Sequence, residues 1–282
     1  MPKKIAQVFR KTTKTLKKLN NHNTMHCARE TNNIPRINTM QLSGPEILRQ
    51  MNLNNPHNPG EYGRPNIIIK PFDERCLGSN SYDLHLSPKF KVYKDTIPYG
   101  MLPYIPYKPG EKYSMRDWFG NEVSYQDYMK NPLKYDYRNP KFLIDPTKEK
   151  ETIKFDIPET GAILNPQFGY LASTVEYTET YNLFPYIDGK SSIGRNFILN
   201  HHTAGRGDDG FCGTWTLEIR VLHPTVVYPY MRIGQIYYDE FRGEQKQYNK
   251  NSASHYNGQN GPTPAAPVPV DLFIKDLVEK QR

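Results

Sequence analysis

Short alternating segments, separated by turns rich in Pro, Gly and Asn, dominate the chain and predict a mainly β protein. Residues 79–86 alternate so that Tyr82, Leu84 and Leu86 share one face of a strand. Residues 67–69 form an apolar run typical of a buried strand, and residues 226–241 contain two further strand runs. Residues 211–221 also alternate, and the positions predicted to point inward are Phe211, Gly213, Trp215, Leu217 and Ile219.

One clear helix start precedes the first strand. Ser43 is predicted to cap this helix, Glu46 to complete a capping box with it, and Pro45 fits the first turn. The helix is predicted to run to about Met51. Two further short helices are predicted at residues 114–130 and 271–279.

A polar turn from Asp188 to Ser192 opens the stretch that is densest in chemically active side chains. Its backbone and hydroxyl donors, together with Lys190 and Arg195, suit a phosphate group, because Arg can grip phosphate oxygens bidentately and Lys supplies a point charge. A plain surface turn before a strand is the alternative interpretation.

The residues that follow this turn supply a candidate general base. Residues 196–202 are predicted to form a strand with mixed faces, and residues 203–210 a loop with three glycines. Glu218 then lies on the face of its strand opposite the inward positions. If that face lines a pocket, the carboxylate can take a proton from a reacting group.

The cysteines do not support a zinc site. Zinc deaminases use a His-x-Glu pair together with Pro-Cys-x-x-Cys, and Cys27, Cys76 and Cys212 lack such spacing. Adjacent residues on a strand point to opposite faces, so His201 and His202 would not share a metal, and His201 is assigned a packing or hydrogen-bonding role. No protein-bound zinc or other metal is expected.

The stretch from Asp188 to Glu218 resembles the core motif of the dCTP deaminase family, a branch of the dUTPase-like proteins. The shared pattern is D-G-[RK]-S-S-x-x-R, then H-x-T-A-x-x-x-D-x-G-F-x-G, then T-L-E, and the chain matches it without a gap. The chain also resembles the family in its S-Y-D-L-x-L strand around Asp83, expected to be a structural acceptor, and in R-I-G-Q at residues 232–235. The resemblance implies a distorted β-barrel or jelly-roll subunit with a few short helices, a homotrimer, and active sites between neighbouring subunits.

The resemblance also implies roles for individual residues. Glu218 would be the catalytic base and acid, taking a proton from the water that attacks C4 of cytosine, and Ser191 and Arg195 would assist it. Asp208 would hold the sugar, and Mg²⁺ would be carried by the triphosphate instead of a protein cage. The residues expected to contact the nucleotide are Lys190, Ser191, Ser192, Arg195, Asp208, Thr216, Leu217, Gln235, Tyr248, His255 and Gln259.

The C-terminal part of the motif set departs from the family in one position. Family members end in a tail with Tyr, then Lys-Tyr, then Gln, which closes over the triphosphate. Tyr248 and Gln259 match this spacing, but His255 stands where Lys is usual. The positive charge on the phosphates is therefore expected to be weaker at neutral pH.

The regions outside the motifs divide the chain into an extension, a domain and a linker. Residues 1–38 form a basic, polar N-terminal extension, and residues 39–261 form the dUTPase-like domain. A Tyr- and Pro-rich insertion at about residues 94–151 is predicted to pack on the barrel surface or over the site. Residues 262–282 form a Pro-rich linker and a short helix, with no family counterpart.

The net charge of +8 is concentrated near the N-terminus, where seven lysines and arginines fall within the first 18 residues. A solvated arm is the favoured interpretation, and weak nucleic-acid contact through phosphates is the alternative. The chain has neither an apolar run long enough for a membrane span nor a visible signal peptide. Together with cysteines that lack motif spacing, this predicts a cytoplasmic protein.

Three functions are compatible with these residues. The first is a dCTP deaminase that forms dUTP and ammonia, supplying dUTP or dUMP for thymidylate synthesis. The second is a bifunctional deaminase and diphosphatase that forms dUMP and pyrophosphate, since Gly205-Arg206 combines features of both types. The third is a catalytically inactive scaffold or regulatory trimer. Gly207 replaces the Ile usual in the family and is expected to loosen the loop that presents Asp208.

Overall fold

The computed structural model of the chain describes residues 41–52, 64–97, 102–111, 143–202, 204–244, 246–251, 254–270 and 279. The chain divides into two compact units, Met1–Thr39 and Met40–Arg282, and every described residue belongs to the second. The basic arm, the predicted helix at residues 114–130 and nearly all of the one at residues 271–279 lie outside the described residues. Among those described, no helix is both long and apolar enough to cross a membrane.

Short antiparallel strands make up most of the regular secondary structure in the described chain, which confirms the mainly β prediction. Two helices accompany them, α1 (Gly44–Asn52) and α2 (Ser191–Gly194). The strands are β1 (Ile67–Lys70), β2 (Tyr82–His85), β3 (Lys89–Tyr93), β4 (Tyr104–Pro106), β5 (Thr152–Asp156), β6 (Ala162–Leu164), β7 (Tyr170–Thr180), β8 (Phe184–Gly189), β9 (Ile198–Leu199), β10 (Cys212–Val221), β11 (Thr225–Val227) and β12 (Arg232–Asp239).

These strands form three sheets within the described residues. The largest has the order β5-β3-β7-β10-β9, with β1 also paired to β7, and the smaller sheets have the orders β11-β6-β4 and β2-β12-β8. Strand β4 comes from the predicted insertion and pairs with β6, so part of the insertion extends one of the two smaller sheets.

The pairing of β7 with β10 sets the two faces of β10. Trp215, Leu217 and Ile219 are buried as predicted, while Thr216 and Glu218 are partly exposed on the opposite face. The register shifts between Thr214 and Thr216. There the Trp215 backbone N–H donates to Thr174 Oγ1 (2.9 Å), and its indole N–H donates to Thr178 Oγ1 (2.9 Å). These bonds pair the backbone N–H and the indole N–H of Trp215, which would otherwise be buried without a partner.

Helix α1 begins as the sequence predicts, with one difference at its cap. Ser43 Oγ accepts the backbone N–H of Glu46 (3.4 Å), which is half of a capping box. The Glu46 carboxylate does not complete the box, because it accepts hydrogen bonds from Arg49 and from Gln50 Nε2. The i,i+3 and i,i+4 partners on the helix surface compete successfully for this carboxylate.

The prediction of a strand at residues 196–202 is wrong for most of that range. Ser191–Gly194 forms one helical turn, and only Ile198–Leu199 form a strand. Phe197 adopts a positive φ of 57°, which turns the chain between the two elements. Asn200 then donates its side-chain N–H to the backbone oxygen of Asp188 (3.2 Å), fixing the return of the chain.

Candidate active site

A cavity of about 580 Å³ lies over the partly exposed face of β10. A volume of this size is ordinary for a nucleotide-sized ligand. Its lining residues come from β3, the insertion, β7, the loop at residues 204–210, β10 and the C-terminal segment; they are Tyr93, Thr96, Ile144, Gly169, Tyr170, Leu171, His202, Ala204, Arg206, Gly207, Asp208, Phe211, Trp215, Thr216, Glu218, Ile219, Tyr248, Tyr256, Gln259, Thr263 and Ala265.

Glu218 lies at one end of this cavity, on the strand face that alternation predicted. Its cross-strand neighbour on β7 is Leu171, which also lines the cavity. Glu218 Oε2 accepts the backbone N–H of His202 (3.2 Å), so the carboxylate is oriented by a fixed amide. An anchored carboxylate that faces a cavity can bind and deprotonate a water molecule there.

Asp208 lines the same cavity at the tip of a closely packed loop. The adjacent Asp209 is buried, its Oδ1 accepts the backbone N–H of Asn182 (2.8 Å), and burial raises the pKa of its carboxyl. Gly207 N–H donates to the Pro185 oxygen (2.8 Å). The expectation that Gly207 loosens this loop is wrong, because a Cβ there would lie 2.3 Å from Cη2 of Trp215.

Gly207→Ala is expected to destabilise the protein by about 2 kcal/mol, because it overpacks the contact with the Trp215 indole. Chemical denaturation should show a lower midpoint at an unchanged slope. Gly194→Ala is the matched control, since a Cβ at Gly194 meets nothing within 4 Å. Equal stabilities of the two variants would contradict close packing at Gly207.

The C-terminal segment contributes Tyr248, Tyr256 and Gln259 to the lining of the cavity. Tyr248 N–H donates to the Asp209 oxygen (2.7 Å). Gln259 Nε2 donates to the Thr214 oxygen (2.7 Å), and Gln259 Oε1 accepts the Thr216 hydroxyl (3.3 Å). The tail, residues 248–259, is therefore bonded at one end to the loop that carries Asp209 and at the other end to β10.

The polar turn, defined from here on as residues 188–195 so that it includes Arg195, does not reach this cavity in the same chain. None of its residues is among the lining groups. Ser191, Ser192 and Arg195 are exposed. The Lys190 ammonium pairs with Asp83, which also accepts Arg232 Nη1 (3.1 Å) at its other oxygen. Asp83 is thus a buried acceptor for two cations, which is the structural role predicted for it.

The other residues predicted to contact the nucleotide lie beside the polar turn, in the core, or outside the cavity lining. Gln235 lies beside the polar turn, where its Nε2 donates to the Gly189 oxygen (3.1 Å) and its Oε1 accepts Ser81 Oγ (2.9 Å). The Leu217 side chain is buried in the core, which leaves its backbone for the expected role. His255 is exposed and lies outside the cavity lining.

The sequence missed several residues of the cavity wall. Tyr93 and Ile144 carried no motif, and Thr263 and Ala265 lie in a segment predicted to be a linker. Tyr256 also lines the cavity, and the signal for it was the Lys-Tyr pair of the family's tail pattern, which is His255-Tyr256 here. His201 packs against Gly205, and its Nε2 lies 3.6 Å from Asp188 Oδ1. No group of three or more His, Cys, Asp or Glu side chains within the described residues is arranged to hold a metal ion.

Comparisons with known proteins converge on one family. A family model described as dCTP deaminase-like matches residues 131–241. The protein named "dCTP deaminase, dUMP-forming" from Leptospira biflexa is 34% identical over 241 residues, covering 86% of this chain and 100% of the relative. The protein of the same name from Hathewaya histolytica is 31% identical over 238 residues, covering 84% of this chain and 99% of the relative. A solved 2'-deoxycytidine 5'-triphosphate deaminase from Agrobacterium tumefaciens aligns with a TM-score of 0.41 at 18% identity, over 72% of this chain and 49% of that one.

Proposed function

The chain belongs to the dCTP deaminase family, and from this premise we propose that it removes the C4 amino group of dCTP by hydrolysis. The observation that carries the proposal is the position of Glu218, which is anchored by the His202 amide and faces a cavity of about 580 Å³. Asp208, Thr216, Tyr248 and Gln259, all expected to contact the nucleotide, line that same cavity.

The proposed reaction needs one proton acceptor that becomes a donor. Glu218 takes a proton from a water molecule as its oxygen attacks C4 of cytosine. The carboxyl then gives this proton to the ring nitrogen N3. The regenerated carboxylate moves the remaining proton of the C4 hydroxyl to the amino group, the C4–N bond breaks, and ammonia leaves as the C4 carbonyl forms. Water and dCTP give dUTP and ammonia, so no other reactant is required. The His202 amide holds one carboxylate oxygen in place during these transfers, which reduces the cost of orienting the base.

The names of the relatives favour the second activity that the sequence left open, formation of dUMP. We infer that the chain also releases pyrophosphate by attack of water on the α-phosphate. Gly205 supports this inference, because deaminase-only members tend to carry His there. A Cβ at Gly205 would lie 2.4 Å from the Ile187 oxygen and 3.0 Å from the His201 ring, so this backbone does not accommodate a side chain. Mg²⁺ would enter with the triphosphate, as part of the substrate.

The separation of the predicted residues into two places supports a shared site in a homotrimer. Lys190, Ser191, Ser192 and Arg195 suit phosphate, yet they lie outside the cavity that Glu218 faces in its own chain. We propose that this polar turn of one protomer completes the cavity of its neighbour. A closed ring of identical copies meets this requirement, since each copy both gives and receives the turn.

The proposal is tested by incubating the purified protein with dCTP and Mg²⁺ and separating the products. We expect dUMP, pyrophosphate and ammonia. Accumulation of dUTP without pyrophosphate would restrict the function to deamination. Absence of turnover with dCTP, dCMP and dUTP would overturn the enzymatic proposal and favour a scaffold that retains the fold.

A further inference from the structure

The residues after the tail run along the cavity and are tied to it by their own backbone. Gly261 N–H donates to Thr214 Oγ1 (2.8 Å), and Thr263 N–H donates to Thr216 Oγ1 (3.0 Å). Ala265 N–H then donates to the Tyr93 hydroxyl (3.1 Å). We call residues 261–270 the strap. Residues 262–270 were predicted to belong to a Pro-rich linker, and Thr263 and Ala265 of this segment form part of the cavity wall.

The far part of the strap is fixed to two other segments of the chain. Ala266 N–H donates to the hydroxyl of Tyr256, which belongs to the tail (3.1 Å). Val268 N–H donates to the Pro146 oxygen, which belongs to the insertion (2.8 Å). The strap contains four prolines. Proline fixes its own φ, so such a segment loses little conformational entropy when it docks.

The Thr216 hydroxyl joins the strap to the nucleotide-covering tail. It accepts the Thr263 N–H (3.0 Å) and donates its own proton to Gln259 Oε1 (3.3 Å). Gln259 Nε2 in turn donates to the Thr214 oxygen (2.7 Å). The Thr263 amide therefore orients the hydroxyl, because a hydroxyl that accepts from one side directs its single proton elsewhere.

We propose that the strap is a positioning element for Gln259, acting through Thr263 and the Thr216 hydroxyl so that the tail is preorganised over the cavity before nucleotide binds. This inference rests on the proposed function for its ligand, a deoxycytidine nucleotide. Preorganisation lowers the entropy that binding must remove, so it acts on nucleotide affinity and leaves the chemical step alone.

Thr263→Pro tests the strap directly, because it removes one N–H donor from an already proline-rich, extended segment. We expect KM for dCTP to rise about fivefold, the equivalent of one hydrogen bond, with kcat within about twofold of its original value. In a Thr216→Val background, Thr263→Pro should add nothing further to KM, since the relay is already broken. Val270→Pro, at an exposed position beyond the last strap contact, is the matched control and should leave KM unchanged.

Hydrogen exchange on the nucleotide-free protein separates failure of the strap from failure of the proposed function. The amides of Thr214 and Gly258, which bond to Gln259 and Cys212, should exchange about fivefold faster in Thr263→Pro than in Val270→Pro. Equal exchange in the two variants, or an unchanged KM in Thr263→Pro, would overturn the proposal that the strap positions Gln259. A protein that does not bind dCTP overturns the proposed function, while the exchange result still decides whether the strap positions the tail.

Discussion

Glu218→Gln should reduce ammonia release from dCTP by about a thousandfold or more, while dCTP still binds. Glutamine keeps the size of the side chain and an oxygen that can accept the His202 N–H (3.2 Å). It cannot take a proton from water at neutral pH, so the attack on C4 loses its base. Enzyme-coupled detection of ammonia measures the rate, and calorimetric titration with dCTP measures the affinity.

Glu240→Gln is the control for this experiment, because it makes the same chemical change at an exposed position outside the cavity lining. We expect it to retain the original rate and affinity. A near-normal rate in Glu218→Gln would remove Glu218 from its proposed role. Loss of dCTP binding in Glu218→Gln would show instead that the carboxylate holds the substrate, and the assignment as a base would then fail.

Mixing two inactive variants should restore activity if the site is shared between protomers. Arg195→Ala removes the proposed phosphate-binding group of the polar turn, and Glu218→Gln removes the base, so each homotrimer should be inactive. A site in a mixed trimer is intact when an Arg195→Ala chain, which keeps Glu218, borders a Glu218→Gln chain, which keeps Arg195. Every mixed trimer contains one such site, so about a third of the sites in the doubly purified protein are intact. Co-expression with two affinity tags and assay of the doubly purified protein measures it.

The pair Asp208→Ala and Glu218→Gln provides the control, because both residues line the cavity of one and the same chain. Every site in that mixture lacks one of the two groups, so no activity should return. Restoration by both pairs, or by neither, would contradict the assignment of the polar turn to a neighbouring protomer.

Local alternation was sufficient to predict the strands β2 and β10 and the direction of the Glu218 side chain. Each residue of a strand points to the face opposite its neighbours, so the burial of Trp215, Leu217 and Ile219 and the exposure of Glu218 follow from the order of residues alone. The helix at α1 was equally local, since Ser43 and Pro45 lie within one turn of its start. The motif from Asp188 to Glu218 likewise indicated the family without reference to any contact.

Tertiary contacts decided the local structure of the two segments that strand alternation does not describe. The strand predicted at residues 196–202 is reduced to a two-residue strand, β9, because Phe197 takes a positive φ and Asn200 bonds back to Asp188. Gly207, which was expected to loosen its loop, is instead closely packed against Trp215. Neither contact follows from strand alternation, although each pair lies within a dozen residues in the sequence.

By itself, the sequence determined the β fold, the family and the strand face that bears Glu218, because these depend on residue order and short-range alternation. Only the tertiary structure decided that Glu218 and the polar turn of one chain lie apart, and that a proline-rich linker is bound to Thr214, Thr216 and Tyr93. The reason is physical: backbone N–H groups carry no sequence signature, and the acceptors of the Gly261, Thr263 and Ala265 N–H groups lie between 47 and 172 residues away.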